Sequence, residues 1–413
     1  MKDTRRIVRP FYSPPTLLLR QAGSAMLFGA LSGWEKMPHW LMSCGFKSVP
    51  VSSGAVGMGC IGFPAHPAWE VTSACNLTCI HCHATGGKPS PDEMDTHQAK
   101  KFIEDLAIAE EFRMLVYTGG EPMVRPDIFE LLAHSRGVGF QNVIATNAVL
   151  IDDRVALELK KTGVVGIAVS LDSARPETHN FVRNHPNAFA RAIRGIRAVK
   201  KAGMLLQINV TAMSYNFDHL DELVSLADES GAAIMLMYQL VPVGRGLKIE
   251  DAGLDLGENE RLINFLHSKQ QTTRTIIEPV AGPQYWPHLL EAHGMTSGWR
   301  LRLAEKLFHG CSAGRGFVYI KPNGDVWPCP FVPVNCGNAQ KERFIDIWKN
   351  SAVLNNLRRR ETLMSGKCGD CRYSALCGGC RGRAMALNNG DYLAEDPTCF
   401  IPARKRSTSG GVS

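Results

Sequence analysis

The sequence predicts an α/β protein: a partial (β/α)6 barrel of the TIM type, followed by a smaller cysteine-rich domain. Two observations predict this architecture. Short β-branched runs alternate with helical patterns over residues 67–240, which is typical of parallel βα units. Eight of the 13 cysteines then fall between Cys311 and Cys399. A chain of 413 residues is long enough for one large domain and a smaller one.

The composition is that of an ordinary globular protein. Apolar residues make up 45% of the chain, charged residues make up 21%, and the net charge is +7. Basic residues do not alternate with aromatic ones in a stripe, so we expect no nucleic-acid partner. The apolar stretch near the N-terminus is about 13 residues long, shorter than the roughly 20 that a transmembrane helix needs. We therefore expect no transmembrane segment and a cytoplasmic location.

Six short runs have the β-branched, apolar character of strands. They are WEVTS (69–73), MLVYT (114–118), NVIAT (142–146), VGIAVSLD (165–172), LLQINVTA (205–212) and AIMLMYQL (233–240). Helical patterns connect them. Asp95 with Gln98 three residues later is typical of a capping box, and Gly163 and Gly203 stand where C-terminal helix caps are expected. Together the runs predict six βα units.

Two of these strands alternate polar and apolar residues. In LLQINVTA, Gln207, Asn209 and Thr211 lie on one face, because successive strand side chains point to opposite faces. In VGIAVSLD, Ser170 and Asp172 share a face in the same way. Helices should cover the outside of the barrel, so the polar faces are expected to line its lumen. A polar lumen indicates a bound polar ligand instead of a packed core.

The remaining segments give a provisional division of the chain. Residues 1–66 form an N-terminal extension of unknown role, and residues 67–240 form the partial barrel. Residues 241–310 connect the barrel to the cysteine-rich domain, which spans residues 311–400. Residues 401–413 form a basic tail.

Three cysteines stand close together in CNLTCIHC, directly after the first predicted strand. A cytosolic protein keeps its thiols reduced, so this grouping of Cys75, Cys79 and Cys82 indicates metal binding. Zinc would need a fourth ligand, which His81 or His83 could supply. A 4Fe-4S cluster held by three thiolates would leave one iron open for a substrate or cofactor. The loop lies at the carboxyl end of a barrel strand, where barrel active sites form.

The spacing in CNLTCIHC resembles the CxxxCxxC signature of the radical S-adenosylmethionine (radical SAM) superfamily. In that family the open iron chelates S-adenosylmethionine, and an electron splits a carbon–sulfur bond to give a 5′-deoxyadenosyl radical that abstracts hydrogen from the substrate. The resemblance implies that Cys75, Cys79 and Cys82 hold the catalytic 4Fe-4S cluster.

The second predicted strand ends in TGGEP, which resembles the GGE motif that contacts the amino group of S-adenosylmethionine in this family. Two glycines let the backbone approach a ligand closely, and Glu121 can pair with an ammonium group. The resemblance implies a set of cofactor-binding residues on the strand ends: His81, Gly119, Gly120, Glu121, Pro122, Asn147, Ser170, Asp172, Arg183, Gln207 and Asn209.

The later cysteines resemble the SPASM extension of radical SAM enzymes, which binds auxiliary 4Fe-4S clusters. CxxC pairs alone would also suit a zinc ribbon. The resemblance implies one or two auxiliary clusters. One would be held by Cys368, Cys371, Cys377 and Cys399, and the other by Cys311, Cys329 and Cys380, with Cys336 as a candidate fourth ligand. One departure from the SPASM pattern is that two residues, instead of three, separate Cys377 from Cys380.

Two further stretches, YQLVPVGRG (238–246) and CGGCRGRAMALNNGDYLAEDPTCF (377–400), are similar to the haem-pathway branch of the family. This likeness implies a tetrapyrrole-like small molecule as substrate, oxidative decarboxylation of its propionate side chains, and a low-potential electron donor such as ferredoxin or flavodoxin. Two alternatives stay open. One is a SPASM maturase that modifies a ribosomal peptide or protein, and the other is a non-catalytic zinc-binding protein.

Overall fold

The computed structural model describes residues 66–109, 112, 114–270, 272–307 and 310–402. The predicted N-terminal extension and basic tail lie almost wholly outside these residues. Within the described ranges, every helix is too short or too polar to cross a bilayer.

A single nine-stranded sheet organises the described chain, in the order β7-β6-β5-β4-β3-β2-β1-β8-β9. Its strands are β1 (His66–Glu70), β2 (Met114–Thr118), β3 (Gln141–Thr146), β4 (Val164–Ser170), β5 (Leu205–Ala212), β6 (Ile234–Gln239), β7 (Ile276–Val280), β8 (Phe317–Ile320) and β9 (Val326–Trp327). Neighbouring strands are parallel except for β8 and β9, which are antiparallel. The predicted α/β class is confirmed.

The six predicted strands are all present, and two more parallel strands extend the sheet beyond them. β7 pairs with β6 and lies in the segment predicted only to connect the two domains. β8 lies in the cysteine-rich segment and pairs with β1, with Tyr319 opposite Ala68. The cysteine-rich segment is therefore hydrogen-bonded into the same sheet as the barrel.

Helices connect the parallel strands, as the βα pattern predicts. They are α1 (Thr96–Leu106), α2 (Ile128–Gly137), α3 (Asp153–Lys161), α4 (Pro176–Arg183), α5 (Ala188–Lys201), α6 (Leu220–Ser230), α7 (Leu256–Gln270), α8 (Tyr285–Ala292), α9 (Gly298–Leu307), α10 (Phe344–Asn350), α11 (Ala352–Arg358), α12 (Gly366–Asp370) and α13 (Arg381–Leu387). The predicted capping box of Asp95 and Gln98 starts α1. Gly163 and Gly203 adopt φ of +90° and +67° just after α3 and α5, as C-terminal caps require.

Along the strands, side chains that pack in the core alternate with side chains that face the lumen. Leu206 and Ile208 of β5 belong to the main hydrophobic core. Gln207, Asn209 and Thr211 of the same strand line a cavity instead. The alternation that the sequence predicts for β5 is therefore present, and it directs polar side chains into the lumen.

Candidate active site and cysteine groups

The loop after β1 carries the first group of thiols, Cys75, Cys79 and Cys82. All three are free. Burial, and then the nearby charges of Glu121, Cys79 and Cys82, raise the pKa of the Cys75 thiol to about 11. A thiol with a raised pKa stays protonated until a metal displaces the proton, which is the usual chemistry of a thiolate ligand.

Later parts of the chain carry two further groups of thiols. The charges of Cys311 and Cys380 act on Cys329, whose pKa is raised mainly by burial. In the same way, Cys377 is influenced by Cys399, Cys368 and Cys371. The structure thus brings together the two sets that the SPASM resemblance implies.

Cys336 lies in other surroundings. Its thiol donates to the carbonyl oxygen of Val334 at 3.7 Å. Burial raises its pKa to about 11, and the groups that lower it are Ser351 and Arg358. Its role as a fourth ligand stays a prediction that these contacts do not support.

The three groups have the donor chemistry of iron–sulfur ligands. Each consists of thiols alone, and soft thiolates suit iron–sulfur clusters. Among the described residues, no three His, Cys, Asp or Glu side chains converge closely enough to hold one metal ion. A 4Fe-4S cluster takes one thiolate per iron, so its ligands need not converge on a single point.

A buried charge network supports the first group. Arg183, the last residue of α4, places Nη1 3.8 Å from the Cys79 sulfur. The Nε of the same guanidinium lies 2.8 Å from Oδ2 of Asp172, which also lies 3.8 Å from Nε2 of His81. Burial alone would raise the pKa of Asp172, but Arg183 and His81 hold it below its usual value. Asp172 therefore neutralises the arginine that touches a cysteine, whereas the sequence assigned it to the cofactor directly.

The TGGEP loop is built around a buried carboxylate. Glu121 accepts hydrogen bonds from the backbone N–H of Met123 at 3.1 Å, the hydroxyl of Thr146 at 2.7 Å and the backbone N–H of Asn147 at 2.8 Å. These bonds fasten the loop after β2 to the loop after β3. Pro122 begins a short 3-10 helix behind the loop.

One cavity of about 360 Å³ runs along the lumen past two of the thiol groups. Eight of the predicted cofactor contacts line it: His81, Gly119, Gly120, Asn147, Ser170, Arg183, Gln207 and Asn209. Six thiols line it as well: Cys75, Cys79, Cys82, Cys311, Cys329 and Cys380. Glu121, Pro122 and Asp172 lie outside its wall, but Glu121 bonds to Asn147 and Asp172 pairs with Arg183, which both form it.

An aromatic wall borders the cavity and was not predicted from the sequence. It consists of His83, Tyr238, Tyr319 and Phe331, all of which line the cavity. The ring of His83 lies 5.5 Å from Phe331 and 6.0 Å from Tyr319, and Tyr238 lies 6.4 Å from Phe331, measured between ring centroids. These residues come from four separate segments, so only the folded chain reveals the group.

Two sequence profiles match this chain in the places that the geometry singles out. The profile of the Radical SAM superfamily matches residues 69–227, and that of an iron-sulfur cluster-binding domain, SPASM, matches residues 311–372. The chain belongs to the radical SAM superfamily and carries a SPASM domain. It is therefore an enzyme, and the alternative of a non-catalytic zinc-binding protein is not retained.

Relatives named as a heme synthase and as a mycofactocin maturase are both similar to this chain. It is 35% identical to the AdoMet-dependent heme synthase of Methanosarcina barkeri over 344 residues, which cover 82% of this chain and 97% of that protein. It is 34% identical to the mycofactocin maturase MftC of Mycobacterium ulcerans over 325 residues, covering 76% and 81% of the two chains.

A solved structure shares the fold. The SuiB protein of Streptococcus suis, bound to the precursor peptide SuiA, matches with a TM-score of 0.65 and 21% identity, covering 81% of this chain and 76% of SuiB.

Proposed function

We propose that this enzyme decarboxylates the propionate side chains of a tetrapyrrole such as iron-coproporphyrin, converting them to vinyl groups. The observation that carries the proposal is the single cavity lined both by the first thiol group and by Cys311, Cys329 and Cys380. A substrate in this cavity would lie near the site of hydrogen abstraction and near an electron acceptor. The relative named as a heme synthase supports the choice of substrate.

The proposed reaction needs both a site of hydrogen abstraction and an electron acceptor. A hydrogen atom leaves the propionate carbon next to the ring, the bond to the carboxylate breaks, CO2 departs, and one electron is released as the vinyl double bond forms. A cluster held by Cys75, Cys79 and Cys82 with S-adenosylmethionine would supply the radical that takes the hydrogen atom, and a cluster held by Cys311, Cys329 and Cys380 would supply the electron acceptor. A ferredoxin or flavodoxin is the proposed source of the electron that starts the cycle.

The chain's own residues suit a flat, carboxylated molecule. The aromatic wall of His83, Tyr238, Tyr319 and Phe331 offers ring faces and edges to a planar conjugated ligand. Arg245 gives the same cavity a cation, whose Nε and Nη1 donate to the carbonyl oxygens of Cys79 at 2.7 Å and Gly86 at 2.8 Å. Partly buried His81 has its pKa lowered to about 4, mainly by desolvation, so its imidazole is neutral at pH 7.

The test is an anaerobic assay with reconstituted enzyme, S-adenosylmethionine, dithionite and iron-coproporphyrin. Mass spectrometry should detect the stepwise loss of CO2 and two hydrogens per propionate, with 5′-deoxyadenosine formed in step. Deuterium at the propionate carbon next to the ring should appear in 5′-deoxyadenosine. Formation of 5′-deoxyadenosine with unchanged porphyrin would contradict the proposal.

Modification of a peptide is the second candidate, and the MftC relative and the SuiB fold favour it. Substrate binding separates the two candidates without turnover. Iron-coproporphyrin titrated into the anaerobic enzyme should shift its main absorption band and saturate at one equivalent per chain. A porphyrin that shows no saturable shift would favour the peptide candidate.

A further inference from the structure

Two arginines of the SPASM segment are fully buried and lack a carboxylate partner. Arg360 and Arg381 are both 0% exposed. Within the part of the chain that the structure describes, neither guanidinium has a carboxylate at ion-pair distance. Their neighbour Arg383, by contrast, pairs with Asp396 at 2.8 Å. A buried charge without an ion-pair partner is costly, so Arg360 calls for an anionic group beside it, and so does Arg381, which only the more distant charge of Asp396 reaches.

Arg360 lies between the two auxiliary thiol groups. Its Nη1 donates to the carbonyl oxygen of Cys311 at 2.8 Å, while Nε and Nη2 are buried and have no acceptor among the described residues. Cys311 and Cys377 are the two thiols whose charges act on it. These thiols belong to different groups, and the guanidinium reaches both: Nη1 bonds to Cys311, while Nε and Nη2 lie against Gly378, next to Cys377.

Arg381 has a similar position at the second group. Its Nη2 donates to the Cys368 sulfur at 3.7 Å, and its Nη1 donates to the carbonyl oxygens of Tyr392 at 3.0 Å and Ala394 at 2.7 Å. Its Nε is buried, with no acceptor in the part of the chain that the structure describes.

The loop between Cys377 and Cys380 is shaped to admit both guanidinium groups. Its glycines, Gly378 and Gly379, have φ of +67° and +58°. A Cβ at Gly378 would lie 2.2 Å from Nε of Arg360, and one at Gly379 would lie 2.6 Å from Nη2 of Arg381. Both positions therefore require glycine, because φ is positive and because a side chain would collide with Arg360 or Arg381. The short CGGC spacing that departs from the SPASM pattern is the stretch that makes room for the two cations.

We infer that Arg360 and Arg381 donate their unused N–H groups to the two auxiliary clusters and raise their reduction potentials. A reduced cluster is more negative than an oxidised one, so a buried cation and N–H donors at its sulfurs favour the reduced form. With such potentials, the clusters held by these thiols would suit the role of acceptor for the electron that leaves the substrate. This inference rests on the auxiliary ligand sets of the proposed function and not on the identity of its substrate.

The first thiol group provides a contrast within the same molecule. Arg183 also touches a cysteine sulfur, but Asp172 lies 2.8 Å from its Nε and neutralises it. The catalytic cluster therefore gains less stabilisation of its reduced form than the auxiliary clusters do. This difference favours transfer of an electron to the auxiliary clusters over transfer to the catalytic cluster.

The test is an anaerobic potentiometric titration of the full reconstituted chain, followed by electron paramagnetic resonance. Arg360→Gln should lower the midpoint of an auxiliary signal so that the reduced-to-oxidised ratio at a fixed potential falls by tenfold or more, which is about 59 mV for a one-electron couple. Arg360→Lys should give a smaller shift because it keeps the charge. The matched control is Arg359→Gln, since Arg359 is exposed and next in sequence. Unchanged midpoints in Arg360→Gln at full iron content would overturn the inference.

A second measurement needs no variant. Wild-type enzyme grown with ¹⁵N-labelled arginine should show hyperfine coupling between arginine nitrogen and the reduced auxiliary clusters, and its absence would overturn the inference. The iron and sulfide content of the same sample tests the ligand sets separately. A sample with only the catalytic cluster would overturn those sets and this inference together, whereas full clusters without coupling would overturn the inference alone.

Discussion

At the scale of single residues, the glycines of TGGEP bring the strand end against the cysteine loop. A Cβ at Gly119, whose φ is +145°, would lie 2.4 Å from the carbonyl oxygen of Thr72. A Cβ at Gly120 would lie 2.1 Å from the carbonyl oxygen of Ala74, next to Cys75. The backbone N–H groups of Gly120 and Glu121 donate to these same two carbonyls at 2.7 and 2.8 Å. Any side chain at Gly120 would push the loop away from the first thiol group.

We therefore expect Gly120→Ala to destabilise the enzyme by about 1–3 kcal/mol, the usual range for overpacking, and to reduce iron incorporation at the catalytic site. Gly87→Ala is the matched control, because a Cβ there has no atom within 4 Å, although Gly87 also bonds to this loop. Iron analysis after reconstitution and anaerobic urea unfolding measure the two effects. Equal iron content in the two variants would show that the close approach is not needed.

The residues of the site differ in how far the sequence reveals them. The cysteine spacings and TGGEP are local patterns, so the thiol groups and the two lining glycines could be predicted. The contacts of Glu121 and Asp172 could not, because their partners Asn147 and Arg183 come from separate segments, the loop after β3 and the end of α4. The aromatic wall was missed for the same reason.

At the scale of elements, the two unpredicted parallel strands have different explanations. β7 contains Pro279, and a proline in a short apolar run argues against a central strand. The structure places β7 at the end of the sheet, with β6 as its one strand neighbour, where a missing N–H is tolerated. β8 is only four residues long and pairs with β1 from far along the chain. No local pattern can indicate a partner at that separation.

The two helices that flank β7 in sequence meet through a pair of histidines. Nδ1 of His267 on α7 lies 3.2 Å from Nε2 of His288 on α8. Burial, and then the charge of His267, lower the pKa of His288 to about 4. Between about pH 6.5 and 4, His288 therefore binds a proton in the unfolded chain but not in the folded chain. Stability is full above this window and falls as the pH decreases through it.

We expect the thermal midpoint of the wild-type enzyme to fall between pH 7.5 and 5.5 by more than that of His288→Gln, which cannot titrate. Because His288 is partly exposed, the difference in unfolding free energy should stay below about 1 kcal/mol. Anaerobic differential scanning fluorimetry at the two pH values measures it. His97→Gln is the control, since this exposed histidine lies elsewhere, on α1. Parallel pH curves for wild type and His288→Gln would contradict the expectation.

At the scale of the whole molecule, the SPASM segment is joined to the barrel by more than chain connectivity. Nη1 of Arg383 donates to the side chain of Gln239 on β6 at 2.7 Å, and Asn259 on α7 donates to the carbonyl oxygen of Thr398 at 2.7 Å. The pairing of β8 with β1 adds a shared sheet. These contacts bring Cys311, distant in sequence from Cys75, to the wall of the same cavity. The sequence indicated both thiol groups, but it did not indicate that they line one cavity.

Because two thiol groups line this cavity, we expect that a variant of one group can block product formation without blocking radical formation. We expect Cys329→Ser to keep cleaving S-adenosylmethionine with dithionite, because the first thiol group is intact, while porphyrin decarboxylation falls at least about tenfold for want of an electron acceptor. Cys336→Ser is the matched control: its thiol contacts Val334 and Ser351 and is absent from the cavity wall. It should keep both activities and its full iron content. Parallel assays of 5′-deoxyadenosine and decarboxylated porphyrin on the two variants measure the separation. Equal loss of both products in Cys329→Ser would contradict this division of roles, and loss of one cluster in Cys336→Ser would assign that residue as the fourth ligand.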